Sequence, residues 1–340
     1  MNRMIPESNQ TVAIIAIGRN EGDRLKSCLR AAMAGARTVV YVDSGSEDGS
    51  AEYAASVGCI VVQLDPAQPF SAARARNEGF ACVMEHEPDV DLVQFVDGDC
   101  DLVDGWLERG VAALNERPDV AIACGHVREI HPEATVYNKL CDLEWQQMPG
   151  EIGACGGIFM VRAEAFRAAG GFRADVIAGE EPEFCVRARR AGWKILQVDA
   201  AMARHDAAMT RFSQWGRRAL RSGHAYAQVA ALHGKSDERY YVRDCRRIWI
   251  WGLVLPAGAL CLAPFTYGLS LAAMLILYAL QFVRIYFGGK KRGWTSGDAM
   301  TYAFFTVLGR FPALAGLLTY RWRKLRGHTL TIIEHKRSSN

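Results

Sequence analysis

Three carboxylates stand at alternate positions in Asp97-Gly98-Asp99-Cys100-Asp101, directly after an apolar run at residues 92–96. Negative charges this close repel one another unless a cation lies among them. Hard oxygen donors of this kind suit Mg2+ or Mn2+, completed by water and a substrate diphosphate. A second acid, Asp43, closes the run at residues 38–42 and opens Ser44-Gly45-Ser46-Glu47-Asp48-Gly49-Ser50. An acid directly after a strand, followed by Gly and Ser, can reach a ribose or a base at the edge of a sheet. A third cluster is Gly179-Glu180-Glu181-Pro182-Glu183. Each also has a plainer reading: a solvated turn at 97–101, caps of the next helix at Ser46 and Asp48, and favourable acids at a helix N-terminus for Glu180 and Glu181.

The elements that would hold these groups alternate. Residues 12–17, 38–42, 60–63 and 92–96 are short apolar runs of the length of buried strands. Between and after them, Leu25, Cys28, Leu29, Ala32 and Met33 recur at helical spacing, as do residues in 69–84 and 104–114. This is an α/β pattern, which implies a parallel sheet with helices on both faces. Ligands of such folds bind outside the carboxyl ends of the strands, where the acidic clusters collect.

The remainder of the chain has another character. Residues 1–203 hold 19 Lys/Arg and 31 Asp/Glu, a balance of −12, whereas 204–340 hold 21 and 6, a balance of +15. Residues 248–283 are 36 in a row without Asp, Glu, Lys or Arg. A spanning helix takes about 20 apolar residues, so this stretch fits a hairpin of two somewhat short ones, with Pro256 interrupting the first and residues 264–268 making the turn. Arg246 and Arg247 precede it; Arg284, Lys290, Lys291 and Arg292 follow, which places both ends in the cytoplasm. A third apolar segment, 299–320, is broken by Arg310 and Pro312 and is expected to lie in the interface or re-enter. Ten basic and four acidic residues between 204 and 247 suit anionic membrane lipids. The ten cysteines are scattered, without zinc-type pairs, as small buried hydrophobes of a reducing compartment. The polar first ten residues lack the apolar core of a signal peptide. The expected location is the cytoplasmic face of the inner membrane.

Taken in order, the motifs resemble those of the family 2 glycosyltransferases with the GT-A fold, a Rossmann-like mixed sheet, here followed by C-terminal membrane helices. Asn20-Glu21 is similar to that family's first nucleotide-contacting turn, and Asp43 matches the acid that holds uracil or ribose. Arg74 and Asn77, in Ala73-Arg74-Ala75-Arg76-Asn77-Glu78-Gly79, lie in a helix start near the donor. Asp97-Gly98-Asp99 matches the DxD motif, with Asp99 the direct metal ligand and Asp97 beside donor and metal. Gly156-Gly157 resembles the acceptor-side glycine pair. Glu180-Glu181 stands where the family has its ED motif, with Glu in place of the usual Asp and Pro182 tolerated in a first helical turn. His205 falls where the family often approaches the metal or diphosphate. Residues 212–223, with Trp215 and Arg218, are loosely similar to a segment that closes over the donor.

The resemblance implies an inverting, metal-dependent transfer of a sugar from a nucleotide-sugar, UDP-linked by preference, to a glycan or lipid-linked acceptor in cell-surface polysaccharide synthesis. Departure of a diphosphate calls for a cation, and the attacking hydroxyl needs a carboxylate base, Glu181 before Glu180. The implied organisation is a catalytic domain at 1–225, a basic connector at 226–247, a hairpin at 248–287 and an interfacial helix with a basic tail at 288–340. Other functions fit less well. Gly18-Arg19-Asn20-Glu21-Gly22 is not a dinucleotide fingerprint, and Gly234-Lys235-Ser236 lacks the first glycine of a P-loop. Nucleic acid is not an expected partner, because the basic segment adjoins apolar helices. A nucleotidyltransferase would carry a basic, glycine-rich first loop, whereas Glu21 and Asp23 are acidic. A non-catalytic scaffold would have no need of Asp99 or the Glu180-Glu181 pair.

Overall fold

The computed structural model describes residues 10–327. They form two compact units, one of residues 10–130 and 144–207 and one of residues 131–143 and 208–327. In the first unit the strands are β1 (Val12–Gly18), β2 (Thr38–Asp43), β3 (Ile60–Gln63), β4 (Leu92–Asp97), β5 (Cys100–Leu102), β6 (Val120–Glu129), β7 (Gly150–Glu151), β8 (Phe159–Arg162) and β9 (Lys194–His205). The helices of the whole chain are α1 (Asp23–Gly35), α2 (Ser50–Ser56), α3 (Ala72–His86), α4 (Trp106–Glu116), α5 (Val136–Trp145), α6 (Ala163–Ala168), α7 (Glu180–Arg190), α8 (Phe212–His233), α9 (Val242–Trp249), α10 (Leu255–Leu262), α11 (Leu269–Lys291), α12 (Ser296–Leu308) and α13 (Arg310–Leu325).

β1, β2 and β4 are apolar almost throughout, with Gln94 in β4 the exception, because each strand is buried almost along its whole length. The sheet order is β3-β2-β1-β4-β8-β6-β9-β5, with β7 on β9. The first four neighbours are parallel, as the alternation implies, but β8 lies antiparallel between β4 and β6. The sheet is therefore mixed, and the all-parallel expectation holds only for its first half. Register places the chemistry: Gly18 pairs with Asp43 and Ile17 with Asp97, so both acids leave the sheet at one end of β1. β5 doubles back after a Gly98-Asp99 turn and pairs with β9, which sets Cys100 opposite His205. Below this end, Phe95, Phe159, Phe166, Phe172 and Phe184 pack with ring centroids 5.2–6.4 Å apart and give the site a rigid floor.

In the second unit, α8 and α13 cross backbone to backbone. A Cβ on Gly223 would lie 1.9 Å from the Ala313 carbonyl oxygen, and one on Gly316 equally close to that of Leu220. α8 runs through position 225, so the helix continues past the boundary expected there. α9, a π-turn at Ile250–Val254 and α10 form one apolar helix, Val242–Leu262, and α11 folds back along it. Pro256 supplies no backbone N–H, and the wide turn just before it accommodates that break. Ser270 Oγ donates to the Ala259 carbonyl at 2.7 Å, and the Tyr278 hydroxyl donates to that of Trp251, which fixes the antiparallel pairing. Helices Val242–Leu262 and Leu269–Lys291 extend into their basic flanks and reach 21 and 23 residues, so they are not short; with Ser296–Leu325 they are long and apolar enough to cross a membrane. The third bends at Gly309. Ala299 packs on Gly289, Leu314 lies against Gly252, and the Arg321 guanidinium lies 5.0 Å from the Trp249 ring centroid. α13 thus runs from the middle of the first apolar helix back to its N-terminal end, and both ends of the third helix meet the basic end of the hairpin.

Candidate active site

One side of the site is built from the loops after β1 and β2. Asp43 is 3% exposed, and its carboxylate accepts from the Tyr41 hydroxyl at 3.0 Å and from the Gly45 and Ser46 amides at 2.9 and 2.8 Å. Burial, with Asp43 beside it, pushes the Tyr41 hydroxyl well above its ordinary pKa, so it stays a donor. Asn20 sits at φ 54°, an αL position that Asn tolerates; its amide donates to Ser46 Oγ and its Oδ1 accepts from the Glu47 amide. Ser46 does not cap α2, whose preceding residue is Gly49; Asp48 takes the Ser50 and Gly22 amides instead. Glu21 pairs with Arg24 at 2.6 Å. Asn20-Glu21 and the Asp43 loop are therefore one hydrogen-bonded edge.

Beyond β4 the turn presents Asp99, 7% exposed, with Oδ2 3.2 Å from His205 Nε2. The His205 ring stacks on Trp145 at 4.4 Å and 9°. Ligand atoms of Asp99, Cys100 and His205 lie within 4.8 Å of one another. Burial, then the charges of Asp99 and Asp97, push the Cys100 thiol far up, so it donates to Asp99 Oδ1 at 3.3 Å and does not compete as a thiolate. What this leaves for a cation is one carboxylate and one imidazole, a donor pair that fits a divalent ion whose other positions go to water and diphosphate. Asp101 turns away and accepts from Ser27 Oγ at 2.8 Å.

Between these edges lies Arg76, 2% exposed. Its Nη2 donates to Asp97 Oδ1 at 2.8 Å and its Nη1 to Glu180 Oε1 at 3.0 Å. Burial works against this charge, but the two carboxylates outweigh it and hold its pKa above the ordinary arginine value. Arg74, two residues earlier, donates to the Asp65 and Gln68 carbonyls, and Asn77 exchanges hydrogen bonds with the Phe172 backbone. Of the residues in this helix start, it is Arg76 that meets the acidic motifs. Gly157 makes room for it: a Cβ there would lie 2.9 Å from Arg76 Nη2 and 3.0 Å from Asp97 Oδ2. Gly157→Ala is expected to destabilise the chain by about 1–3 kcal/mol through overpacking, read as a lower thermal midpoint; an unchanged midpoint would show that the pair can yield without cost.

Glu181 is 6% exposed, and its Oε1 accepts from the Cys155 amide at 2.7 Å and from the Cys185 and Cys155 thiols at 2.9 and 3.2 Å. Burial raises its pKa, and these donors hold the rise in check. Gly156, at φ 86°, follows this amide directly. Glu183 is held by Arg187 at 2.8 Å, a helix-bracing pair. All ten cysteines are free thiols, eight of them buried. Trp215 and Arg218 lie on α8 in the second unit, where Trp215 is buried against Phe212 and Phe305.

Residues 13–170 match the model of the family described as "Glycosyl transferase family 2". Glycosyltransferase AglE of Haloferax volcanii is 24% identical over 257 residues, 72% of this chain and 80% of that protein. Among solved structures, a mannosyltransferase, PcManGT from Pyrobaculum calidifontis in complex with GDP-Man and Mn2+, is similar with a TM-score of 0.59 and 16% identity, over 94% of this chain and 89% of that one. S. aureus TarS matches at a TM-score of 0.48 and 13% identity, and this chain spans 40% of its length. At 16% identity the likeness to the mannosyltransferase speaks for the fold alone.

Proposed function

We propose that this chain, which carries a match to the family 2 glycosyltransferase model over residues 13–170 and an α/β fold of GT-A type, is a glycosyltransferase that inverts the anomeric carbon of a nucleotide-linked sugar, UDP-linked by preference, while transferring it to a glycan or lipid-linked acceptor. The observation that carries this reading is the Arg76 bridge, which brings Asp97 and Glu180 within reach of one guanidinium. Asp43 and the Asn20-Glu21 turn bind the nucleoside. Asp99 and His205 would hold the divalent ion, Mg2+ or Mn2+, which would supply countercharge for the departing diphosphate. The acceptor hydroxyl enters over Gly156-Gly157, and Glu181 takes its proton as oxygen bonds to the anomeric carbon and the donor's diphosphate bond breaks. A single base and no covalent nucleophile give inversion. Glu180, already engaged by Arg76, is the weaker candidate for the base.

The apolar hairpin supports membrane attachment, with its basic end, and the catalytic part with it, in the cytoplasm. The third apolar helix re-enters, because both its ends meet that basic end. An acceptor carried on a lipid suits an enzyme held at this surface, and anionic lipids are its surroundings.

The reading is tested by following nucleoside diphosphate release across a panel of nucleotide-sugars with Mg2+, Mn2+ or EDTA, with membrane lipid extract as acceptor. Asp99→Ala is expected to lower turnover about 100-fold or more and to raise the metal concentration needed for half-maximal rate. Full activity in EDTA, or an Asp99→Ala variant with wild-type metal dependence, would overturn the assignment of the metal to Asp99.

A further inference from the structure

At the basic end of the apolar hairpin the second unit carries a half-open cavity of about 510 Å³. Its walls include Trp249, Leu317 and Tyr320, and its rim carries Arg246, Arg321 and Lys324, with no carboxylate among the lining residues. Arg321 lies over Trp249 at 5.0 Å and Lys324 over Tyr320 at 5.9 Å, so aromatic faces hold two of the three cations at the rim. The cavity sits where Val242–Leu262 begins and Ser296–Leu325 ends, the level at which a hairpin inserted from its basic end meets lipid headgroups. Apolar walls below three cations match an amphiphile with an anionic head. A zwitterionic headgroup would bring its own cation to the same rim and gain less.

We propose that this cavity is a discrete site for one anionic membrane phospholipid, its phosphate among Arg246, Arg321 and Lys324 and the first part of an acyl chain against Trp249, Leu317 and Tyr320. This goes beyond general attraction to an anionic surface, though it rests on the reading that the hairpin lies in a bilayer. Its volume falls within the range of small-ligand sites, about 300–1,000 Å³, enough for a headgroup and the adjoining methylenes.

The test uses the full chain reconstituted in vesicles of phosphatidylcholine with or without phosphatidylglycerol. Flotation with the vesicles reports membrane attachment, and native mass spectrometry after extraction reports retained lipid. Wild type is expected to float and to retain phosphatidylglycerol in preference to phosphatidylcholine. Arg246→Gln, Arg321→Gln and Lys324→Gln should each lower that preference about fivefold, whereas Lys291→Gln, a cation of the same end outside the cavity, should leave it unchanged. Ala231→Trp, which fills the cavity without removing charge, should abolish retention while flotation persists. Equal retention of both lipids by wild type, an equal loss in Lys291→Gln, or undiminished retention in Ala231→Trp would each overturn the discrete site. Failure to float would overturn the membrane reading and this site with it.

Discussion

Glu181→Gln is expected to lower kcat by about three orders of magnitude, within the 10²–10⁴ contributed by a positioned general base, and to leave the fold as stable as wild type or more so at neutral pH. Gln keeps the length of the side chain, and its carbonyl oxygen still accepts from the Cys155 amide. What it loses is the capacity to take a proton. Glu180→Gln should cost less, because its carboxylate is already engaged by Arg76. Equal losses in the two variants would remove the distinction between base and positioning group.

The same burial gives a pH signature. Desolvation raises the Glu181 pKa in the folded chain, so the base becomes protonated, and the rate falls, at a pH above the ordinary glutamate range. The sign for stability follows from linkage. Between the unfolded and the raised folded pKa the folded state binds more protons, so this group's contribution is fully present below the unfolded value and is lost as pH rises through the folded one. Glu181→Gln should therefore remove both the acidic limb of the rate profile and this fall in stability. A wild-type acidic limb at or below the ordinary glutamate value would speak against Glu181 as the base.

Much of this site can be read from the sequence because its acids end strands that are buried on both faces. β1 and β2 are apolar runs and β4 is one but for the buried Gln94, so their ends are sharp, and Asp43 and Asp97 stand at those ends. The choice between Arg74 and Arg76 is of another kind. Two residues apart on a helix are about 200° apart around its axis, so one faces the site and the other the Asp65–Gln68 loop, and an alanine precedes each. Only the packing of α3, with Ala73, Ala75, Arg76 and Gly79 buried, decides which. The insertion of antiparallel β8 between β4 and β6 is a long-range pairing of a four-residue strand, which no local pattern encodes. Likewise Trp145 and His205 are 60 positions apart, and Cys155 meets Glu181 and Cys185 only once α7 packs beside the glycine loop. In the third apolar helix, Arg310 and Pro312 mark the break in the sequence, and the contacts of Leu314 and Arg321 with the first helix are long-range pairings that no local pattern encodes.

Arg76→Met should be the most damaging substitution to the fold among the site residues, because it removes one buried cation and leaves two acids facing each other. The guanidinium side chain is 3% exposed, and those of Asp97 and Glu180 are 32% and 12%. Breaking a buried pair by deleting one partner costs about 3–5 kcal/mol; the partial exposure of Asp97 puts the expected loss near the lower end, about 3 kcal/mol. Arg76→Lys retains the charge but not the planar fork, so a single ammonium cannot hold both carboxylates in their present geometry. It should recover part of the stability while kcat remains well below wild type. Arg76→Met combined with Glu180→Gln removes one of the stranded charges and should restore stability further without restoring activity. That separation, measured by thermal unfolding beside diphosphate release, distinguishes a residue that positions the reacting groups from one that only supports the fold. If every substitution at Arg76 lowered activity only in proportion to the folded fraction, its role would be structural, and the bridge between the two motifs would carry no part of the chemistry.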